Sequence, residues 1–454
     1  AQSCRRCQRL RPQLPRRWHS VLIVQPLRRK LRGHRDSVPP ERQLAEARAL
    51  VNSIDGWSVS GCLSVNMKQR TQWVFTSGVY SQLASQVRRS EATAVFVNVA
   101  MLSGMQSYNL SAEWRRPVLD RYSVVLQAFN DRATSRESKL QIQLAEIPLR
   151  LARTAVVSPE SVAAGRAASE ATGRQRALDA LEAEAERLRA ALADIEARKT
   201  AKGEARRRQV PTVAVVGYTN AGKTSLVSLL ARKSSLLPED RLFATLHSSH
   251  HRCRLPCGLP CLLVDTIGFL SDLPTSLVAP FRCTLRDSLD ADQLLHVVDC
   301  SDPDWPERCR TVSDTLDKLG LSEKLRNGML TVYNKCDLLL DSTDSESPAP
   351  PEDSLLVSCE TGLNLVELQR RLQSRLISGL GYQRVRLRCS PASRLYTWLE
   401  QQGVTVESAV PASQGGGDQL AMRLLMSPQQ LAKFRARFRP AGQAEASESE
   451  NSAT

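Results

Sequence analysis

"GYTNAGKT" runs from Gly217 to Thr224 and has the form G-x-x-x-x-G-K-[ST]. That pattern cradles phosphate only where it joins a strand to a helix. Here "TVAVVG" precedes it and "TSLVSLLAR" follows it, a β-branched run leading in and an apolar helical run leading out. In such a turn the glycines let backbone N–H groups approach phosphate oxygens, and the helix N-terminus adds favourable potential. Gly217, Tyr218, Thr219, Asn220, Ala221, Gly222, Lys223, Thr224 and Ser225 are therefore the expected cradle. Lys223 is expected to reach the β- and γ-phosphates, and the Thr224 hydroxyl to coordinate Mg2+.

The loop alone leaves kinases, ATPases and GTPases open, and downstream residues decide between them. "DTIG", Asp265 to Gly268, follows the strand-like "CLLV". Asp265 at a strand end can hold the metal through water, and Gly268 can donate its N–H to a γ-phosphate. "NKCD" supplies Asn334, Lys335 and Asp337 after "MLTVY". The Asp337 carboxylate can accept two hydrogen bonds from the guanine N1–H and exocyclic amine; adenine offers no such pair. "SCE", with Ser358 and Cys359, fits a loop closing over the base. Each motif is weak alone, but all occur in order at strand C-terminal ends. Together they specify GTP and GDP, with Mg2+, as cofactors. The residue after "DTIG" is Phe269, where Ras-like enzymes place a water-orienting Gln. Another loop or a partner must then order the attacking water, or turnover is slow; the expectation is partner-stimulated hydrolysis.

The rest of the 454-residue chain divides by pattern. Residues 1–19 form an arginine-rich leader or tail, read as disordered, and no acid occurs before Asp36. Such a leader suits mitochondrial import or a basic RNA-binding tail, with a cytoplasmic location as the alternative. Residues 20–117 mix "SVLIVQP" and "TAVFVNVAML" strands with the helical "QLAEARALVNSI", a small α/β domain. Residues 118–208 are helical. Leu140, Leu144, Ile147 and Leu151 follow helical spacing, with Pro148 expected to kink or end that helix. Leu178, Leu181, Ala185, Leu188, Leu192 and Ile195 form an a/d seam, giving an antiparallel, coiled-coil-like hairpin. Residues 209–379 alternate strands with helices, the signature of a doubly wound, mostly parallel sheet. Residues 380–440 read as a small α/β tail domain with nine Lys or Arg against three acids, and 441–454 as a disordered tail.

The net charge of +15 favours an anionic partner such as RNA or a membrane surface. No apolar run approaches the ~20 residues that span a bilayer. The twelve cysteines show no disulfide framework. Cys4 and Cys7 lie in the leader; Cys253, Cys257 and Cys261 near His250 and His251 resemble a zinc cluster, but a loop running into a buried strand explains them more simply.

The chain resembles the HflX family of ribosome-associated GTPases, and within it the animal mitochondrial branch. "VVGYTNAGKTSL" and "LFATL" are similar to the family's phosphate loop and switch I, and "VDTIGFLSDLP" to its switch II, Phe269 included. "VLDRYSVVLQAF" and "SRESKLQIQLAEIPL" are similar to its entry into the helical hairpin. "DGWSV", Gln106, Asn109 and Leu110 resemble its N-terminal domain. The resemblance implies an α/β fold: a P-loop GTPase domain preceded by a small α/β domain and a helical hairpin, and followed by a small α/β domain. It implies Thr245 as the switch I threonine sensing the γ-phosphate and Mg2+, beside Lys223 and Gly268 in catalysis and Thr224 and Asp265 at the metal. It also implies the large ribosomal subunit and its rRNA as partner, rather than DNA or a membrane, with the protein monomeric off the ribosome. The implied roles are ribosome splitting or recycling and large-subunit maturation. Three positions depart from the family. His247 to His251 stand where "FATL" is usually followed by Asp-Pro-Thr, the hairpin tip lacks a "GTRGPGET" loop, and Glu360 replaces a cation after Ser358 and Cys359.

Overall fold

The computed structural model describes residues 19–28, 39–67, 74–75, 77–156, 167–207, 210–232, 249–269, 289–340, 348–411 and 419–438. Residues 1–18 of the leader with Cys4 and Cys7, the hairpin tip at 157–166, switch I Thr245 and the tail at 441–454 lie outside the described residues.

The chain opens with β1 (His19–Arg28), α1 (Pro40–Asn52), β2 (Trp57–Met67), α2 (Ser77–Arg89), β3 (Ala94–Val97), α3 (Gly104–Trp114) and β4 (Val118–Leu119). The strands form one sheet in the order β2-β1-β3-β4, every neighbouring pair parallel. A parallel sheet is covered on both faces, so its central strands are apolar throughout. Val21 and Ile23 enter one core while Leu22 and Val24 enter another on the opposite face. β2, at the edge, mixes Ser, Cys and Asn with its apolar residues and was less legible. The family-like Gln106 closes a capping box with Ser103 at the start of α3, and Leu110 is buried.

Two helices, α4 (Arg121–Arg132) and α5 (Arg136–Thr154), precede the long α6 (Ala167–Arg207). Leu140, Leu144, Ile147 and Leu151 of α5 pack against Leu181, Ala185 and Leu188 of α6. Pro148 does not end α5; it sits inside a helix that continues to Thr154. Proline costs one helical hydrogen bond, and the flanking turns are held by that apolar seam, which outweighs the local penalty.

The central unit follows as β5 (Thr212–Gly217), α7 (Lys223–Ala231), β6 (Ser249–Arg254), β7 (Pro260–Asp265), β8 (Gln293–Asp299), α8 (Trp305–Lys318), α9 (Glu323–Gly328), β9 (Leu330–Asn334), α10 (Asp337–Leu340), β10 (Leu355–Leu356) and α11 (Leu365–Gly379). Its sheet order is β10-β9-β8-β5-β7-β6. All pairs are parallel except the β6–β7 hairpin, which puts "SHHRCR" on an antiparallel edge strand where alternate side chains face outward. Cys253 lies opposite Cys261 in that hairpin, so two of the three clustered thiols are buried strand residues. Among the described residues no group of three or more His, Cys, Asp or Glu is arranged to hold a metal ion.

The chain closes with β11 (Gln383–Cys389), α12 (Arg394–Gln401), β12 (Thr405–Pro411), β13 (Leu420–Met426) and α13 (Pro428–Phe438). The three strands are antiparallel in the order β11-β13-β12. Val385, Leu387, Met422 and Leu424 pack with Trp398, Leu399 and Leu431 of the two helices. Leu425, on the other face, is buried in the core of the central unit. No helix among the described residues is long and apolar enough to cross a membrane.

Candidate functional site

Open parallel sheets bind ligands outside the carboxyl ends of their strands. β5, β7, β8 and β9 run parallel, so Gly217, Asp265, Asp299 and Asn334 end at one edge; Asp299 is in register with Asn334, and Val215 with Asp265. The loop from Gly217 to Gly222 crosses that edge into α7. A Cβ on Gly217 would lie 2.3 Å from the Val297 carbonyl oxygen. Gly222 caps α7 at φ +89°, and a Cβ there would lie 2.2 Å from Asn334 Nδ2. Only glycine allows both the close approach and the left-handed turn.

Lys223 and Thr224 open α7. Lys223 is buried, and its Nζ donates to the Tyr218 carbonyl at 2.7 Å. Burial pushes its pKa down to about 8, against the Asp265 carboxylate, which favours the charged form. Thr224 Oγ1 donates to Asp265 Oδ2 at 2.8 Å. A hydroxyl and a carboxylate at a strand end are hard oxygen donors of the kind Mg2+ takes, and both would hold the ion. Ser225 lies in the same first helical turn.

The segment after Asp265 is laced to the phosphate loop by backbone. Phe269 N–H donates to the Gly217 carbonyl and Thr219 N–H to the Phe269 carbonyl, at 3.1 and 2.8 Å. This brings Gly268 so close that a Cβ would sit 2.7 Å from Thr219 Cγ2 and 3.0 Å from Lys223 Nζ. Phe269 itself is only 2% exposed, and its side chain packs in the apolar core with Ile267 and Tyr218. The residue that replaces glutamine is thus turned into protein.

Asn334 ties the two halves of the site together. Its Nδ2 donates to the Ala221 carbonyl at 2.9 Å, and its Oδ1 accepts from Cys359 N–H at 3.1 Å. Lys335, in the left-handed region at φ +64°, pairs with Asp299 at 2.7 Å. Asp337 begins α10, and among the described residues its carboxylate makes no hydrogen bond or ion pair, which leaves it available to a ligand. The Ser358 hydroxyl accepts from Thr361 N–H and shapes the turn after β10. Burial pushes the Cys359 thiol up to about 12, so it stays neutral at the base loop. The structure therefore gathers the expected residues at one sheet edge, Thr245 lying outside the described residues.

Several neighbours gave no signal in the sequence. Tyr218 Oη donates to Glu46 of α1 at 2.8 Å, and the Arg308 guanidinium lies 4.6 Å above the Tyr218 ring. Glu46 also accepts from the buried Arg121 at 2.7 Å, and Arg42 pairs with Asp304. His296 on β8 is buried, and its pKa falls to about 4, first through burial and then through Lys223. The Thr266 hydroxyl donates to the Val215 carbonyl at 2.7 Å.

This fold and edge define a P-loop GTPase domain that takes a guanine nucleotide. Residues 212–335 match the family described as "50S ribosome-binding GTPase", and residues 41–130 that described as "GTP-binding GTPase N-terminal". The chain is 34% identical over 437 residues to the Homo sapiens "Putative GTP-binding protein 6", an alignment covering 94% of this chain and 83% of that protein. It is 34% identical over 344 residues to "GTPase HflX" of Alkalihalophilus pseudofirmus, covering 74% and 79%. A solved GTP-binding protein from Sulfolobus solfataricus in complex with GDP aligns over 79% of this chain and 99% of its own, at 19% identity and a TM-score of 0.43. The chain belongs to the HflX family of GTPases, together with the animal proteins of the first comparison.

Proposed function

We propose that this chain is a GTP-hydrolysing switch that binds the large ribosomal subunit through its rRNA, in mitochondria, and acts in ribosome dissociation or recycling and in large-subunit maturation. The Thr224–Asp265 pair at 2.8 Å, beside the buried Lys223, carries the reading. It is the donor set that a Mg2+–nucleotide needs, laced by backbone to the segment that must respond to the γ-phosphate. Membership in the HflX family, the ribosomal description of the matching family and the net charge of +15 support the ribosomal partner.

Mg2+, when bound, neutralises phosphate charge. The protein's own part is positioning. Lys223 places a cation at the phosphates, Gly268 offers its N–H where only a glycine fits, and Asn334 holds base loop and phosphate loop in fixed relation. Phe269 is buried and supplies no hydrogen bond to water, so the large subunit completes the catalytic arrangement. A second reading follows from the same residue: an assembly or anti-association factor that holds GTP with little turnover. Single-turnover hydrolysis with and without large subunits separates the two. Stimulation by the subunit is expected; its absence would favour the second reading.

A further inference from the structure

The C-terminal sheet has one face packed on its helices and another that is only partly covered. The register sets out the second face in three rows across β11, β13 and β12. The first holds Arg384, Leu425 and Thr405; the next Arg386, Arg423 and Ser408; the last Arg388, Ala421 and Val410. The central unit covers the first row at Leu425 and Thr405, while Arg384 stays exposed. Leu425 is fully buried there, and Arg384 pairs with Glu407 at 3.0 Å. The other two rows are open, with Arg386, Arg388, Arg423 and Ser408 exposed.

Arg386 and Arg423 stand directly opposite each other on neighbouring strands, with Arg388 two residues along. Like charges so placed are destabilising. Among the described residues none of these three makes an ion pair, and the two open rows contain no carboxylate. Glu407, at the bulge beside Ser408, is taken by Arg384, so among the described residues these three guanidinium groups have no ion-pair partner and form an arrangement that an anion would complete. Arginine's planar fork suits phosphate oxygens in bidentate contact. The large apolar residues a lipid surface would need, Trp398, Leu399 and Leu431 of α12 and α13, are buried under the opposite face, and the two open rows expose one large apolar side chain, Val410.

We propose that the open face of Arg386, Arg388 and Arg423 is an RNA phosphate-backbone contact, with Val410 and Ala421 as a small apolar shelf beside it. It rests on the reading that the partner is RNA-bearing, and it locates one contact surface within it.

The test uses the full chain carrying R386Q, R388Q and R423Q together. A short fluorescein-labelled single-stranded RNA is titrated across a salt series, beside vesicles of phosphatidylcholine with phosphatidylserine. GDP binding and thermal melting report on folding. Three lost phosphate contacts should lower the salt slope by about 2 and weaken RNA binding at least about tenfold at 0.1 M salt. GDP affinity should be unchanged and the melting temperature equal or higher, since a repulsive pair is removed. A salt slope equal to wild type would overturn the proposal, and so would loss of vesicle binding with RNA binding intact. Co-sedimentation with large subunits separates this from the broader reading. If wild type and variant sediment equally, the arginine face is wrong and the ribosomal partner stands. If wild type does not sediment while the RNA titration shows the loss, the face stands and the large-subunit reading fails.

Discussion

The phenol of Tyr218, second residue of the phosphate loop, donates to the carboxylate of Glu46, a residue 172 positions upstream in the N-terminal unit. Glu46 is held in turn by Arg121, whose side chain is only 5% exposed. The loop that holds phosphate is therefore also part of the joint between two units.

Removing either end of that contact should have unequal cost. Tyr218→Phe deletes one charge-assisted hydrogen bond, about 1.5–3 kcal/mol. Glu46→Ala deletes it and leaves the Arg121 guanidinium buried without its carboxylate, about 3–5 kcal/mol. Urea denaturation should rank Glu46→Ala below Tyr218→Phe, and both below wild type. Equal midpoints for the two variants would show that Arg121 does not depend on Glu46.

Asn334 joins Ala221 to Cys359, so its loss should act on phosphate and base binding together. Asn334→Ala should weaken GDP and GTP about equally, by roughly ten- to a hundredfold for about 1–3 kcal/mol of lost hydrogen bonding. Isothermal titration with both nucleotides checks this. Weakening confined to GTP would instead place Asn334 with the γ-phosphate sensors.

His296 makes stability depend on acid. Its folded pKa is about 4 against an ordinary 6.5, so the unfolded chain binds more protons between those values. Stability should therefore fall as pH drops from 6.5 toward 4, by about 2 kcal/mol at pH 4.5 from this group. His296→Gln should flatten that part of the profile in denaturation midpoints taken at pH 7 and 4.5. Parallel profiles for both proteins would assign the acid sensitivity elsewhere.

What the sequence disclosed was local. Gly217 to Thr224, "DTIG" and "NKCD" each carry their chemistry in adjacent residues, and the strands before them are apolar because the sheet is covered on both faces. The edge strands β6 and β12 were harder to read. "SHHRCR" faces solvent on alternate residues, while Thr405–Pro411 contains a register shift and ends on proline. Pro148 lies inside α5 and does not end it, because the apolar seam with α6, legible as leucine spacing in both segments, holds the turns on either side. The Tyr218–Glu46 bond was invisible: a tyrosine in a phosphate loop gives no hint of a partner in another unit.

In the proposed function a guanine-nucleotide site at this sheet edge governs docking on the large ribosomal subunit. The most direct test is co-sedimentation with isolated large subunits under GTP, GDP and a non-hydrolysable GTP analogue, for wild type and Lys223→Ala. Wild type should pellet with GTP or the analogue and release with GDP, and Lys223→Ala should lose the nucleotide dependence. Equal pelleting of wild type under all three nucleotides would contradict the claim.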